Sequence, residues 1–263
     1  FTCAHTPYSH ISLSLSLSLS LSLSLSLSLS CFNQDILPHI EVLLYMDADS
    51  LFLGPVYDVW SHFHQMNSSQ MAALSIESED LNSAWYGRFA RHPYYGKTGL
   101  NSGVMLMNLT RMREFGWGNY LGPILKEFKT KMVFGDQDII NIIFYYHPET
   151  LLVFPCRFNF RTDHCRYMPN CESAMSDGVI VMHGSRAAFL SYKVPPFTLI
   201  YQAFQEYQLT QDLHEHLYLH LKNQFAALAE YLVEDARIGS CGINYETNYL
   251  SNILKVSQPL ALR

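Results

Sequence analysis

Charge is scarce in this sequence. Only 15% of its 263 residues are Asp, Glu, Lys or Arg, and the formal net charge is −6. Without a basic excess there is no electrostatic footprint for nucleic acid, and none is expected as a partner. With 49% apolar residues, low charge also excludes a disordered chain and leaves a globular protein of one large or two small domains. The paired Cys-x-x-Cys spacing of zinc sites is absent. Of the six cysteines, Cys156, Cys165 and Cys171 sit too far apart for it, and His164 beside Cys165 makes only a poor metal candidate. A membrane span is missing too. The one long run with abundant apolar residues, Ile11 to Ser30, alternates Leu with Ser, so no helical face is purely apolar and no basic flank follows. As a strand it would be far too long. Residues 1–35 therefore read as a low-complexity segment, with a catalytic domain over 36–210 and a C-terminal helix and tail over 211–263.

What is present is a series of short apolar runs separated by helical patterns. Glu41 to Met46 reads as a buried parallel strand ending in acids, Met71 to Ile76 as a second strand and Gly103 to Asn108 as a third. Leu151 to Phe154 and Gly178 to Met182 complete the set. Helices are expected over Val56 to Gln65, from Thr110 to Phe115 and over Asp136 to Tyr146, the last with Ile139, Ile140, Ile143 and Phe144 on one face. From Asp212 to Glu234, leucines and Phe225 recur every three or four residues, the mark of one docked amphipathic helix. Alternation of this kind implies an α/β fold with its ligands at the strand C-termini. Two sequons, at Asn67 and Asn108, together with the cysteines favour an oxidising, luminal setting.

Four clusters carry chemistry. Asp47-Ala48-Asp49 follows the first apolar strand directly, so both carboxylates can converge on one hard cation, Mn2+ or Mg2+, which would in turn hold diphosphate oxygens. The alternative is a solvated loop. His183 ends a later strand and is either a structural imidazole or the third ligand. Gly184 after it allows close backbone approach to a phosphate, and Arg186 and Lys193 are anion partners. Asp136, Gln137 and Asp138 open a helix, where Asp136 is either an N-cap or, with its neighbours, part of a sugar and acceptor cluster. Asn101 and Ser102 lead into the third strand and either bond sugar hydroxyls or make a turn.

The order of these motifs resembles the glycogenin-like retaining glycosyltransferases of the GT-A fold, in particular their glucoside xylosyltransferase branch. The resemblance rests on Trp85 to Gly99 (WYGRFARHPYYGKTG), its continuation Leu100 to Asn108, Thr110 to Arg113, Gly135 to Asp138, Phe154-Pro155-Cys156 and His183-Gly184-x-Arg186. It runs from about Val42 to Tyr207. It implies that Asp47, Asp49 and His183 bind a divalent cation, usually manganese, and that Asn101 and Asp136 to Asp138 face sugar and acceptor. Arg186 and Lys193 would lie near the diphosphate. The implied donor is UDP-xylose, and the implied acceptor an O-linked glucose on an EGF-like repeat. The implied setting is the secretory pathway, as a type II membrane protein whose anchor is not visible here. The family places a nucleotide-binding segment before the Asp-x-Asp motif, whereas only 46 residues precede Asp47 here and about twenty of them are the repeat. The N-terminal part of the fold thus reads as missing, and residues 1–263 alone are expected to be poorly soluble and nearly or wholly inactive, a truncated product or pseudoenzyme. A hydrolase using the same carboxylates to activate water would need a second metal cluster, which the sequence does not offer.

Overall fold

The computed structural model describes residues 37–191, 193–232, 239–242 and 244–258. The Leu–Ser run, Cys3, Cys31 and the end of the expected C-terminal helix lie outside them. In chain order the elements are β1 (Val42–Met46), β2 (Ser50–Phe52), α1 (Val56–Trp60) continued by a tighter turn over Ser61–Gln65, β3 (Ala72–Ile76), α2 (Trp85–Phe89) and β4 (Leu100–Asn108). Next come α3 (Leu109–Phe115), α4 (Gly118–Phe128), α5 (Asp136–Tyr146), β5 (Leu151–Val153), α6 (Glu172–Asp177) and β6 (Val181–His183). Among the described residues three helices come last: α7 (Pro195–Glu206), α8 (Leu219–Leu232) and α9 (Ser251–Ser257).

Four strands form one mixed sheet in the order β1-β4-β3-β5, while β2 pairs with β6 in a separate ribbon. Only β3 and β5 run parallel; β1 lies antiparallel to β4, as does β3. This corrects the reading of the first strand as parallel and buried. Its residues are half-exposed, because among the described residues β4 is its one strand partner and covers one edge. Hydropathy shows how apolar a strand is, not which way its neighbour runs.

β4 is buried along its length, and its alternation divides the core. Met105 and Met107 pack with α4 and α5 on one face, and Val104 and Leu106 pack with Val59, Phe154 and Ile180 on the other. Two residues per repeat is the strand period that produces this division. Asn108 then caps α3, its side chain accepting from the Arg111 amide at 3.0 Å, and Gly116 ends that helix in the left-handed region at φ 74°. α5 is enclosed nearly all round: Gln137 to Phe144 are all buried, not one face only.

A third core holds the C-terminal part against β6. Leu217, Leu221, Phe225 and Tyr249 pack with Phe160, Phe189 and Phe197. Four cysteines are oxidised in pairs, Cys156 with Cys171 and Cys165 with Cys241. His164 is no metal ligand either: its Nδ1 accepts from the Arg161 amide at 3.0 Å, and burial among cationic neighbours holds its pKa well below the ordinary value.

Candidate metal centre and its surroundings

Two separate pairings bring the three candidate ligands together. Beyond β1 the Asp47 amide donates to Gly103 O at 2.9 Å, which holds Asp47 at the edge of the sheet. In the ribbon, Ser50 lies opposite His183, and the Gly184 amide donates to Asp49 O at 2.6 Å. A register shift between Leu74 and Ser75 bulges β4 over residues 102–104, and Gly103, lacking a side chain, leaves space there. The His183 ring fills that space so closely that a Cβ at Gly103 would stand 2.1 Å from its Cε1.

His183 Nε2 lies 3.4 Å from Asp47 Oδ2 and 3.4 Å from Asp49 Oδ1. Among the described residues these three form the one group of His, Cys, Asp or Glu whose ligand atoms all fall within 4.8 Å of one another. Burial alone would lower the His183 pKa, yet the two carboxylates raise it above 6.5. Burial would raise Asp49, and the imidazole contact instead brings it below 3.8. Two carboxylate oxygens and one imidazole nitrogen around a common point suit a hard to borderline divalent cation such as Mn2+ or Mg2+.

Behind the imidazole runs a buried chain of polar side chains. His183 Nδ1 meets Asn159 Oδ1 at 2.9 Å, and Asn159 Nδ2 donates to Asn101 Oδ1 at 2.8 Å. Asn101 Nδ2 donates to Gln137 Oε1 at 2.9 Å, and Gln137 Nε2 donates to the Tyr86 hydroxyl at 3.2 Å. Tyr86 donates to Asp138 Oδ1 at 2.8 Å. Thus His183, at the end of β6, and the start of α5 are mechanically joined. Such a fully paired network rigidifies whatever it supports.

The family model for glycosyl transferase family 8 matches residues 29–183, a span that includes Asp47, Asp49 and His183. The chain belongs to that family. Over 188 residues it is 48% identical to rat glucoside xylosyltransferase 1, covering 67% of this chain and 43% of the rat protein. Against mouse glucoside xylosyltransferase 2 the identity is 45% over 201 residues, covering 72% of this chain and 45% of that protein. The chain therefore spans less than half the length of these curated relatives. Among solved structures, the apo form of mouse xyloside xylosyltransferase 1 aligns over 62% of this chain and 63% of its own, at 21% identity and a TM-score of 0.47.

Within this family 8 chain the other expected site residues have distinct surroundings. Asp136 is half-buried at the first position of α5, with Gly135 as the cap. Gln137 is buried, and its Oε1 also accepts from the Ser102 amide at 3.1 Å. Asp138 is fully buried: the amides of Val133 and Phe134 donate to its Oδ2, and His92 Nε2 stands 3.3 Å from its Oδ1. It holds the 133–138 turn and faces no open space. Gly184 has spent its amide on Asp49, so that group is not free for a phosphate. Arg186, at φ 59°, is ion-paired with Asp163 and still largely exposed. Lys193 is exposed.

Sequence reasoning missed Tyr86, Asn159 and Arg161. Asn159 had a weak signal, a polar residue between Phe158 and Phe160. Arg161 had none, since arginine seldom signals burial; here it is 2% exposed, with Nη2 donating to Glu77 O.

Proposed function

We propose that this family 8 chain carries the catalytic centre of a metal-dependent, retaining glycosyltransferase that moves xylose from UDP-xylose to O-linked glucose on EGF-like repeats. The convergence of Asp47, Asp49 and His183 carries the reading, supported by the 48% identity to a glucoside xylosyltransferase. Asp47 Oδ2, Asp49 Oδ1 and His183 Nε2 would hold Mn2+ or Mg2+. When bound, the cation supplies Lewis-acid neutralisation of the charge that builds on a departing diphosphate.

The chain's own residues do the rest. Arg186 and Lys193, on the segment after β6, offer exposed cationic groups to the same diphosphate. Gln137 and Asn101 have their amide groups engaged inward, so their part is to set the shape of the sugar site; the amide of Ser102 is fixed by the same Gln137 oxygen. Asp136 keeps a half-exposed carboxylate at the helix start, which makes it the group best placed to meet the acceptor or to assist retention. Asp138 supports that turn from below. A luminal site of action fits two disulfides and an exposed sequon at Asn67. Among the described residues no helix is long and apolar enough to cross a membrane.

The test uses the chain with the upstream part of a glucoside xylosyltransferase supplied. Calorimetry should show Mn2+ binding that Asp49→Ala abolishes while the fold persists. Transfer to an O-glucosylated EGF-like repeat should proceed from UDP-xylose and far more slowly from UDP-glucose, whose extra hydroxymethyl group needs room at C5. Unchanged Mn2+ affinity in Asp49→Ala removes the metal centre, and equal rates with the two donors remove xylose.

A further inference from the structure

We propose that Asn159 is the positioning residue of the metal centre: it keeps a proton on His183 Nδ1 and so leaves Nε2 open as the ligand atom. The inference rests on the reading of Asp47, Asp49 and His183 as a cation site.

Its direction follows from two backbone amides, which can only donate. The Gly103 amide donates to Asn101 Oδ1 at 3.1 Å, and the Ser102 amide donates to Gln137 Oε1 at 3.1 Å. Those two contacts fix which end of each side-chain amide is oxygen. Asn101 Nδ2 must then face Gln137 Oε1, and Asn159 Nδ2 must face Asn101 Oδ1. Turning Asn159 over would press its oxygen against the Asn101 oxygen at the same 2.8 Å, so it stays as it is. Only Asn159 Oδ1 is left for the imidazole, at 2.9 Å from Nδ1, and an oxygen there requires an N–H.

The opposite edge of the ring shows why this matters. Nε2 faces two carboxylates, which would themselves favour a proton on Nε2. A neutral imidazole with its proton there closes the site to a cation. Asn159 competes by offering a fully buried acceptor on the other side. The ring occupies the space that a Cβ at Gly103 would take, 2.1 Å from its Cε1. An outer partner that orients a metal-bound histidine in this way commonly contributes about 10- to 100-fold in metal affinity.

Two variants of the chain separate positioning from mere support. Asn159→Leu keeps the bulk and removes the acceptor; Asn159→Asp keeps an acceptor for Nδ1 and loses the donor to Asn101. Both should melt at lower temperature. Mn2+ affinity by calorimetry should fall about 10- to 100-fold in Asn159→Leu and stay near wild type in Asn159→Asp. Nitrogen–proton correlation spectra of isotope-labelled histidine should show a protected Nδ1 proton on His183 in wild type and Asn159→Asp, absent in Asn159→Leu. Wild-type affinity in Asn159→Leu, or an equal loss in both variants, overturns the inference. Should Asn159→Leu fail to fold, the wild-type and Asn159→Asp spectra and affinities decide, an unprotected Nδ1 in wild type being fatal. Absence of Mn2+ binding in wild type defeats the metal reading instead, and the Nδ1 proton still tests the role of Asn159.

Discussion

Gly103→Ala places a methyl group 2.1 Å from His183 Cε1, 2.4 Å from Nδ1 and 2.9 Å from Nε2. Ordinary contact between carbon atoms begins near 3.5 Å, so the ring must retreat by about 1.4 Å. Its Nδ1 bond to Asn159 is 2.9 Å long; such bonds weaken beyond about 3.2 Å, and a shift of that size breaks this one. Nε2 moves as well, away from the point it shares with Asp47 and Asp49. Overpacking a tight interior costs about 1–3 kcal/mol, or about 2–12 °C in melting temperature for a domain of this size. Metal affinity should fall by at least about tenfold. Gly54→Ala is the matched control. Its Cβ would stand 2.6 Å from Ile180 Cδ1, an overpacked contact that does not involve the three ligands. Scanning fluorimetry and Mn2+ calorimetry should show both variants destabilised and only Gly103→Ala deficient in metal. Wild-type Mn2+ affinity in Gly103→Ala would refute the account of how His183 is seated.

Three further outcomes follow from the geometry. Burial would raise the Asp138 pKa, but His92, the Phe134 amide, Tyr86 and the Val133 amide hold it below 3.8, while Asp138 and the Pro93 carbonyl raise His92 above 6.5 against its own burial. Asp138 therefore contributes stability that is full above its unfolded value and lost as pH falls through the lower folded one. His92 contributes below pH 6.5, and its share is lost as pH rises through its folded value. Melting curves against pH should slope at both ends, and Asp138→Asn should flatten both; unchanged slopes refute the pairing. The disulfides close loops of different size, with separations of 76 residues for Cys165–Cys241 and 15 for Cys156–Cys171. Replacing the first pair by serine should cost about 4.5 kcal/mol against about 3 for the second, and a reversed order in urea titrations contradicts this. Of the two sequons, Asn67 is exposed, whereas Asn108 is committed to capping α3. Glycopeptide mass spectrometry of secreted protein should find a glycan at Asn67 and none at Asn108; the reverse pattern defeats the reading.

The parts of the site legible in sequence were those announced by a change of pattern. An apolar run that stops at Asp47-Ala48-Asp49 and another that stops at His183 both mark strand ends, and both parts of the candidate metal centre lie there. α5 begins where Gly135-Asp136 suggested, though Asp136 is its first residue and not its cap. Asn159, Tyr86 and Arg161 were illegible because their roles depend on neighbours 24, 52 and 84 residues away. A local pattern carries no information on such distances. The direction of β1 was misread for the same reason, and the pairing of the cysteines, for which the sequence offers no reading, is likewise decided by the partner and not by the residues themselves.

The strand that ends in His183 is braced from the far end of the chain. The Val179 amide donates to Asn248 O at 2.7 Å, Asn252 Nδ2 donates to Val179 O at 3.0 Å, and Tyr249 donates to the carbonyl of Cys241, the residue bonded to Cys165. Protein made in a reducing host would lack that covalent tie. Its Asp47 would stay at the edge of the main sheet, held by Gly103 as before, but the segment steadying β6 would be held by packing alone. Such a preparation would show normal secondary structure and poor manganese binding, and the choice of expression compartment would then pass for a property of the protein.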